Sequence, residues 1–261
     1  MLTIYFSGTG NTEFVARLFA QKFQGKCLSI EDEVDFFAEI SAHDTIAFCY
    51  PIYGSRVPLI MREFAASHTE ALLNKKIIIL VTQLIFSGDG ARVFTDLFPK
   101  GHFDVIYAEH FYMPNNVCNF ALLRETSNKS IARCSKSAEN KVGRIHRDIS
   151  GGVVRRRGFS WFSKLLGKAQ GVPWHGNSAS PSALDGTMEA KAKRDVRIDR
   201  DCTACGLCVT ACPMKNLEMA DGKILHNSNC TICYRCVNLC PHKAITVFFH
   251  SKPKWQYKGL Y

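Results

Sequence analysis

The chain has 261 residues, 46% of them hydrophobic, with a formal net charge of +10; this is enough for a buried core in one large domain plus a small one and excludes a disordered chain. Residues 1–11 run straight into an apolar strand and a glycine loop, with no basic n-region, apolar h-region or small-residue cleavage site, so a cytoplasmic location is expected. The longest apolar run, 77–86, contains Thr82 and Gln83 and falls short of the roughly 20 residues of a membrane helix.

In chain order, apolar runs alternate with helical periodicity. Residues 2–6, 27–30, 45–50, 77–82 and 105–112 read as five strands, and 11–23, 57–67 and 91–98 as helices between them. Strands separated by helices imply an α/β fold with a doubly wound parallel sheet. A polar, basic helix is expected over 119–147, broken at Ser150, Gly151 and Gly152. A short helix follows, whose Phe159, Trp161, Phe162 and Leu165 are expected to seal it onto the sheet. Residues 171–186 are rich in Gly, Pro, Ser and Asn, the composition of a linker. The expected organisation is therefore a first domain over 1–170, a linker over 171–187 and a small α+β domain over 188–261.

Twelve cysteines without an export signal argue for metal or redox chemistry rather than a disulfide framework. Cys202, Cys205, Cys208 and Cys212 recur as Cys230, Cys233, Cys236 and Cys240, each displaced by 28 positions, and Pro213 and Pro241 close the two sets. Both sets read C-x2-C-x2-C-x3-C-P, in which three thiolates from one loop reach three corners of a [4Fe-4S] cubane and the fourth reaches the other cluster. Two clusters are therefore expected, one on Cys202, Cys205, Cys208 and Cys240 and the other on Cys212, Cys230, Cys233 and Cys236. Zinc is the rival ligand, but structural zinc sites use two separated C-x2-C pairs. Arg235 stands inside the second loop, where the first has no ionisable group besides its thiols; it either raises that cluster's potential or points into water. Cys27, Cys49, Cys118 and Cys134 read as small packing residues.

After the first strand stands Ser7-Gly8-Thr9-Gly10-Asn11-Thr12, opening a helix. Hydroxyls and backbone amides at a helix N-terminus receive a phosphate dianion. A dinucleotide fingerprint fails at its third glycine, where Glu13 stands, although Glu31 and Asp32 lie near that motif's ribose position. A Walker loop is excluded because no G-K-[ST] follows.

The S-G-T-G-N-T run resembles the FMN phosphate loop of flavodoxins. That resemblance implies two further flavin loops, Pro51-Ile52-Tyr53-Gly54 and Thr82-Gln83 through Phe86-Ser87-Gly88-Asp89-Gly90, with Tyr53 or Phe86 against the isoalloxazine. The whole chain resembles the anaerobe family in which a flavodoxin domain precedes a two-cluster ferredoxin domain, at both ends but not over 119–187. Met113-Pro114-Asn115-Asn116 is similar to that family's M-P-x-N segment, with Val117 where a tyrosine is usual. The resemblance implies an electron carrier between redox protein partners, with no catalytic dyad. Two alternatives stand beside it, a flavin-dependent reductase of a small organic molecule and a redox-sensing module.

The excess charge sits in the middle of the chain. Lys plus Arg against Asp plus Glu is 9 to 13 over 1–118, 17 to 7 over 119–200 and 7 to 3 over 201–261. With FMN and two cubanes the total falls to about +4, which does not imply nucleic acid. The basic segment reads as a dock for an acidic redox partner, as a contact with an anionic membrane surface, or as a solvated helix face, the membrane contact being the least favoured of the three.

Overall fold

The computed structural model describes residues 1–175 and 187–260. Six parallel strands form one sheet in the order β2-β1-β3-β4-β5-β6: β1 (Leu2–Tyr5), β2 (Lys26–Ser29), β3 (Thr45–Pro51), β4 (Lys76–Gln83), β5 (Asp104–Tyr112) and β6 (Arg155–Arg156). β4 reads KIIILVTQ and is buried from its second residue onward, as a strand covered on both faces must be. Helices α1 (Asn11–Lys22), α2 (Phe36–Ser41), α3 (Leu59–Ser67), α4 (Asn128–Ser150) and α5 (Trp161–His175) accompany it. The chain runs from β1 outward to β2 and then back across to β3, so the order reverses at β1 and opens a crevice at the C-terminal ends of these strands.

Several local expectations change. The sheet has a sixth strand, because Arg155 and Arg156 pair with Tyr107 and Ala108. No period-2 apolar pattern announces it; its charge is neutralised within the chain, Arg155 near Asp148 at 3.6 Å and Arg156 on Asp104 at 3.0 Å, while the next residue, Arg157, pairs with the buried Glu109 at 3.0 Å. Residues 92–97 form a 3-10 turn instead of an α-helix, and α2 appears where the sequence pattern shows no element.

The basic helix starts at Asn128, capped by Ser127, whose Oγ accepts the Ser130 N–H. Residues before it bind the C-terminal part of the chain instead. Asn119 Nδ2 donates to Val247 O at 3.1 Å, and Phe120 stacks on Phe249 with centroids 4.3 Å apart. Only Ala138, Val142 and Ile145, on one face of α4, reach the core. In α5 the expected seal is reversed. Phe159 packs on the core, but Trp161, Phe162 and Leu165 are 77%, 55% and 56% exposed. The helix instead meets the loop after β4 through Gly167, where a Cβ would stand 1.7 Å from Asp89 Oδ1. It continues through His175 into the expected linker, of which residues 176–186 lie outside the described residues.

The C-terminal part contains α6 (Met188–Arg194), β7 (Val196–Ile198), α7 (Leu207–Thr210), β8 (Leu217–Ala220), β9 (Lys223–His226), α8 (Arg235–Leu239) and β10 (Ile245–Val247). β7 pairs antiparallel with β10, and β8 with β9. It has its own core, built on Val196, Leu217, Ile224, Val237 and Ile245, into which Cys118 also packs. α6 is tied to α3 by a buried ion pair, Arg62 Nη2 to Glu189 Oε1 at 2.7 Å. A pair this buried registers the two elements more than it stabilises them.

Candidate functional site

The duplication in sequence is a duplication in backbone. Ala204, Gly206 and Lys215 have positive φ, and so do Ile232, Tyr234 and Lys243, each 28 residues on. Short helices α7 and α8 begin at the same offset. Sulfur acceptors repeat as well: Ala204 N–H donates to Cys202 Sγ and Ile232 N–H to Cys230 Sγ, at 3.4 and 3.3 Å. Asn216 N–H donates to Cys212 Sγ and Ala244 N–H to Cys240 Sγ, both at 3.3 Å. Amides aimed at sulfur stabilise thiolate and lower the energy of a reduced cluster.

Two cavities result. One is lined by Cys202, Cys205, Cys208 and Cys240, the other by Cys212, Cys230, Cys233 and Cys236. The fourth cysteine of each run thus lines the cavity of the other run. Among the described residues no three His, Cys, Asp or Glu side chains converge as they would around a single ion. Burial pushes the Cys230 thiol up to about 12 and that of Cys233 to about 11, so iron must displace protons to bind there.

The crevice at the end of β1 and β3 holds about 440 Å³. Ser7, Gly8, Thr9, Asn11 and Thr12 form one wall, Pro51 to Gly54 the second, and Thr82 and Gln83 the third. Gly10 caps α1 with φ +94° and its N–H bonds Ser7 Oγ at 3.1 Å. Thr12 and Thr82 share a buried hydroxyl contact at 2.7 Å, and Asn116 Nδ2 donates to Thr9 Oγ1 at 3.0 Å. Met113 to Val117 also face the crevice. Phe86 is 46% exposed, and it, Ser87, Gly88, Asp89 and Gly90 are absent from the lining. Ser87 is buried, its Oγ bonded to Gln83 and 3.2 Å from His110 Nδ1; Asp89 pairs with Arg92 at 2.6 Å.

Several residues of the lining come from elements the sequence could not place there. Ile232, Tyr234, Phe248 and Phe249 reach the crevice from the C-terminal domain, and Leu84, Leu123 and Gln170 from loops and α5. Tyr234 and Phe248 have positive φ, which residue type does not signal. Apart from its tyrosines, the lining has no ionisable side chain among the described residues. Tyr53 Oη is buried without a protein partner and stands beside Gly8 and Cys233. A lone buried hydroxyl of this kind suits a site completed by a ligand.

Arg235 does not point into water. Its guanidinium grips Glu31 at 2.7 and 2.8 Å and donates to the Ser7, Gly8 and Ala211 carbonyls at 2.7, 3.0 and 3.1 Å.

A phosphate-loop α/β domain joined to a duplicated four-cysteine domain defines an electron-transfer protein. The flavodoxin-domain family profile matches residues 2–165 and a 4Fe-4S dicluster profile matches 194–241. The chain belongs to the flavodoxin-domain family and is a flavodoxin/ferredoxin fusion. No curated protein matches it. Similar solved structures include the flavodoxin of Megasphaera elsdenii, 18% identical over 55% of this chain and 99% of that one, TM-score 0.37. General stress protein 14 of Treponema denticola, solved with FMN, is 12% identical over 57% and 97%, TM-score 0.43. A WrbA-like flavodoxin from Agrobacterium tumefaciens is 16% identical over 56% and 96%, TM-score 0.40. Among the described residues no helix is long and apolar enough to cross a membrane.

Proposed function

We propose that the protein carries electrons between redox partners through FMN in the crevice and two [4Fe-4S] clusters in the cysteine cavities. FMN exchanges one or two electrons and a cubane one at a time, so the pair converts between single-electron and two-electron transfer. The observation that carries the proposal is that Tyr234 lines both the crevice and the Cys212, Cys230, Cys233 and Cys236 cavity. One side chain separates the flavin site from this inner set. The other set is the outward one, with Cys205 exposed and Leu207 51% exposed beside it.

The residues of the crevice bind and exclude water. Ser7, Thr9 and Thr12 hydroxyls and the first amides of α1 suit the phosphate, and Ile232, Phe248 and Phe249 cover the mouth from the second domain. Among the described residues of the lining none is Asp, Glu, Lys, Arg or His, so Tyr53 and Tyr234 are the side chains there that could give a proton to a bound organic substrate.

Anaerobic purification, with iron, sulfide and flavin quantified per chain, tests the proposal. Two cubanes and one FMN, all reduced by a low-potential protein donor, are expected. Zinc in the cysteine sites, failure to take up FMN, or saturable consumption of a small molecule at the flavin would each overturn it.

A further inference from the structure

We infer that the phosphate site of the flavodoxin domain is built from across the domain interface, with Arg235 of the iron–sulfur domain as its positioning residue. The inference rests on the FMN reading of the crevice.

Every N–H of the Arg235 guanidinium has work. Two bonds go to Glu31, one to Ala211 O beside Cys212, and the remaining two to the Ser7 and Gly8 carbonyls. Among the described residues no peptide bond is cis, and in a trans peptide the C=O and N–H point in opposite directions. Holding Ser7 O and Gly8 O on Arg235 therefore turns the Gly8 and Thr9 N–H groups away from it, towards the crevice that both residues line. Among the described residues neither N–H donates to a protein acceptor. Two amides turned by a fixed fork, at the mouth of α1, form the kind of concavity that takes an anion. Among the described residues of the crevice lining none is a cation, and Lys258 stands with Arg235 on the other side of the loop, so within the crevice amide direction carries the binding.

Lysine could not replace this function fully. A single ammonium cannot span two successive carbonyls and a bidentate carboxylate in one plane. Glu31 fixes the fork from the other side at 2.7 and 2.8 Å, and Gly8 packs so closely on Cys233 that a Cβ would lie 2.5 Å from its carbonyl. Flavin binding and inner-set geometry are thus joined through one residue, and any such coupling is reciprocal.

The test compares FMN with riboflavin, which lacks the phosphate, titrated into deflavinated, cluster-loaded protein and followed by flavin fluorescence. Wild type prefers FMN. Arg235→Ala is expected to reduce that preference about tenfold or more, leaving riboflavin affinity unchanged, with Arg235→Lys intermediate. Glu31→Gln, which leaves the cluster loop intact, gives a smaller loss in the same direction and serves if the alanine variant does not fold. An unaltered FMN-to-riboflavin ratio in folded Arg235→Ala overturns the inference, as does an equal loss for both flavins. If wild type itself shows no preference for FMN, the FMN reading has failed and the inference falls with it.

Discussion

The two cysteine loops share spacing, dihedrals and sulfur-directed amides, yet they live in different surroundings. In the first, Gly206 and Leu207 stand where the second has Tyr234 and Arg235. Gly206 is near only Met219, and Cys205 is exposed. Tyr234 is 5% exposed and Arg235 clasps the phosphate loop. Local sequence makes a cluster-sized loop twice; what docks against it decides whether that loop faces a partner or a flavin site.

Paired substitutions at this repeat position give the largest contrast. Tyr234→Ala removes a buried ring and its hydrogen bond to Val247 O and is expected to cost about 4 kcal/mol. At the counterpart, Gly206→Ala meets only a φ of +80° and costs about 1 kcal/mol. Urea unfolding of anaerobically loaded protein measures both; equal costs would erase the asymmetry.

Next comes the contact itself. Gly8→Ala would place a methyl 2.5 Å from Cys233 O and 3.2 Å from Tyr53 Oη, overpacking two backbones that cannot both retreat. We expect a loss of about 3 kcal/mol together with FMN release, read by thermal unfolding and by flavin content.

Acid should then weaken the first domain. His110, buried under the sixth strand, is held down to about 4 by burial first and by Arg157 next. Its imidazole is neutral in the folded chain and protonated in the unfolded one between about pH 4 and its ordinary value of 6.5. Stability from this residue is therefore complete above pH 6.5 and is lost as pH falls towards 4, by at most about 3 kcal/mol. His110→Gln should flatten that slope in circular-dichroism melts across the window.

Smallest is the outward face of α5. Trp161→Ser, at a side chain 77% exposed, should change stability by about 0.5 kcal/mol or less. A loss of several kcal/mol would restore Trp161 to the core.

Much of this was written in the residue order. The alternation of apolar runs with helical segments specified the parallel α/β sheet because strands buried on both faces must be continuously apolar, as 77–81 are. The cysteine repeat specified two equivalent loops, since ligand spacing is local geometry. The Ser7 to Thr12 turn was legible for the same reason.

Tertiary structure decided what depends on distant neighbours. The sixth strand exists because Asp148 and Asp104 receive its arginines, and residues 119–120 leave the helix because Val247 and Phe249 hold them. Arg235 could have been solvated or paired on spacing alone; Glu31, 204 positions away, settles it. Composition and periodicity report which surfaces a chain must bury, but only packing between domains selects which of two loops with the same cysteine spacing turns inward.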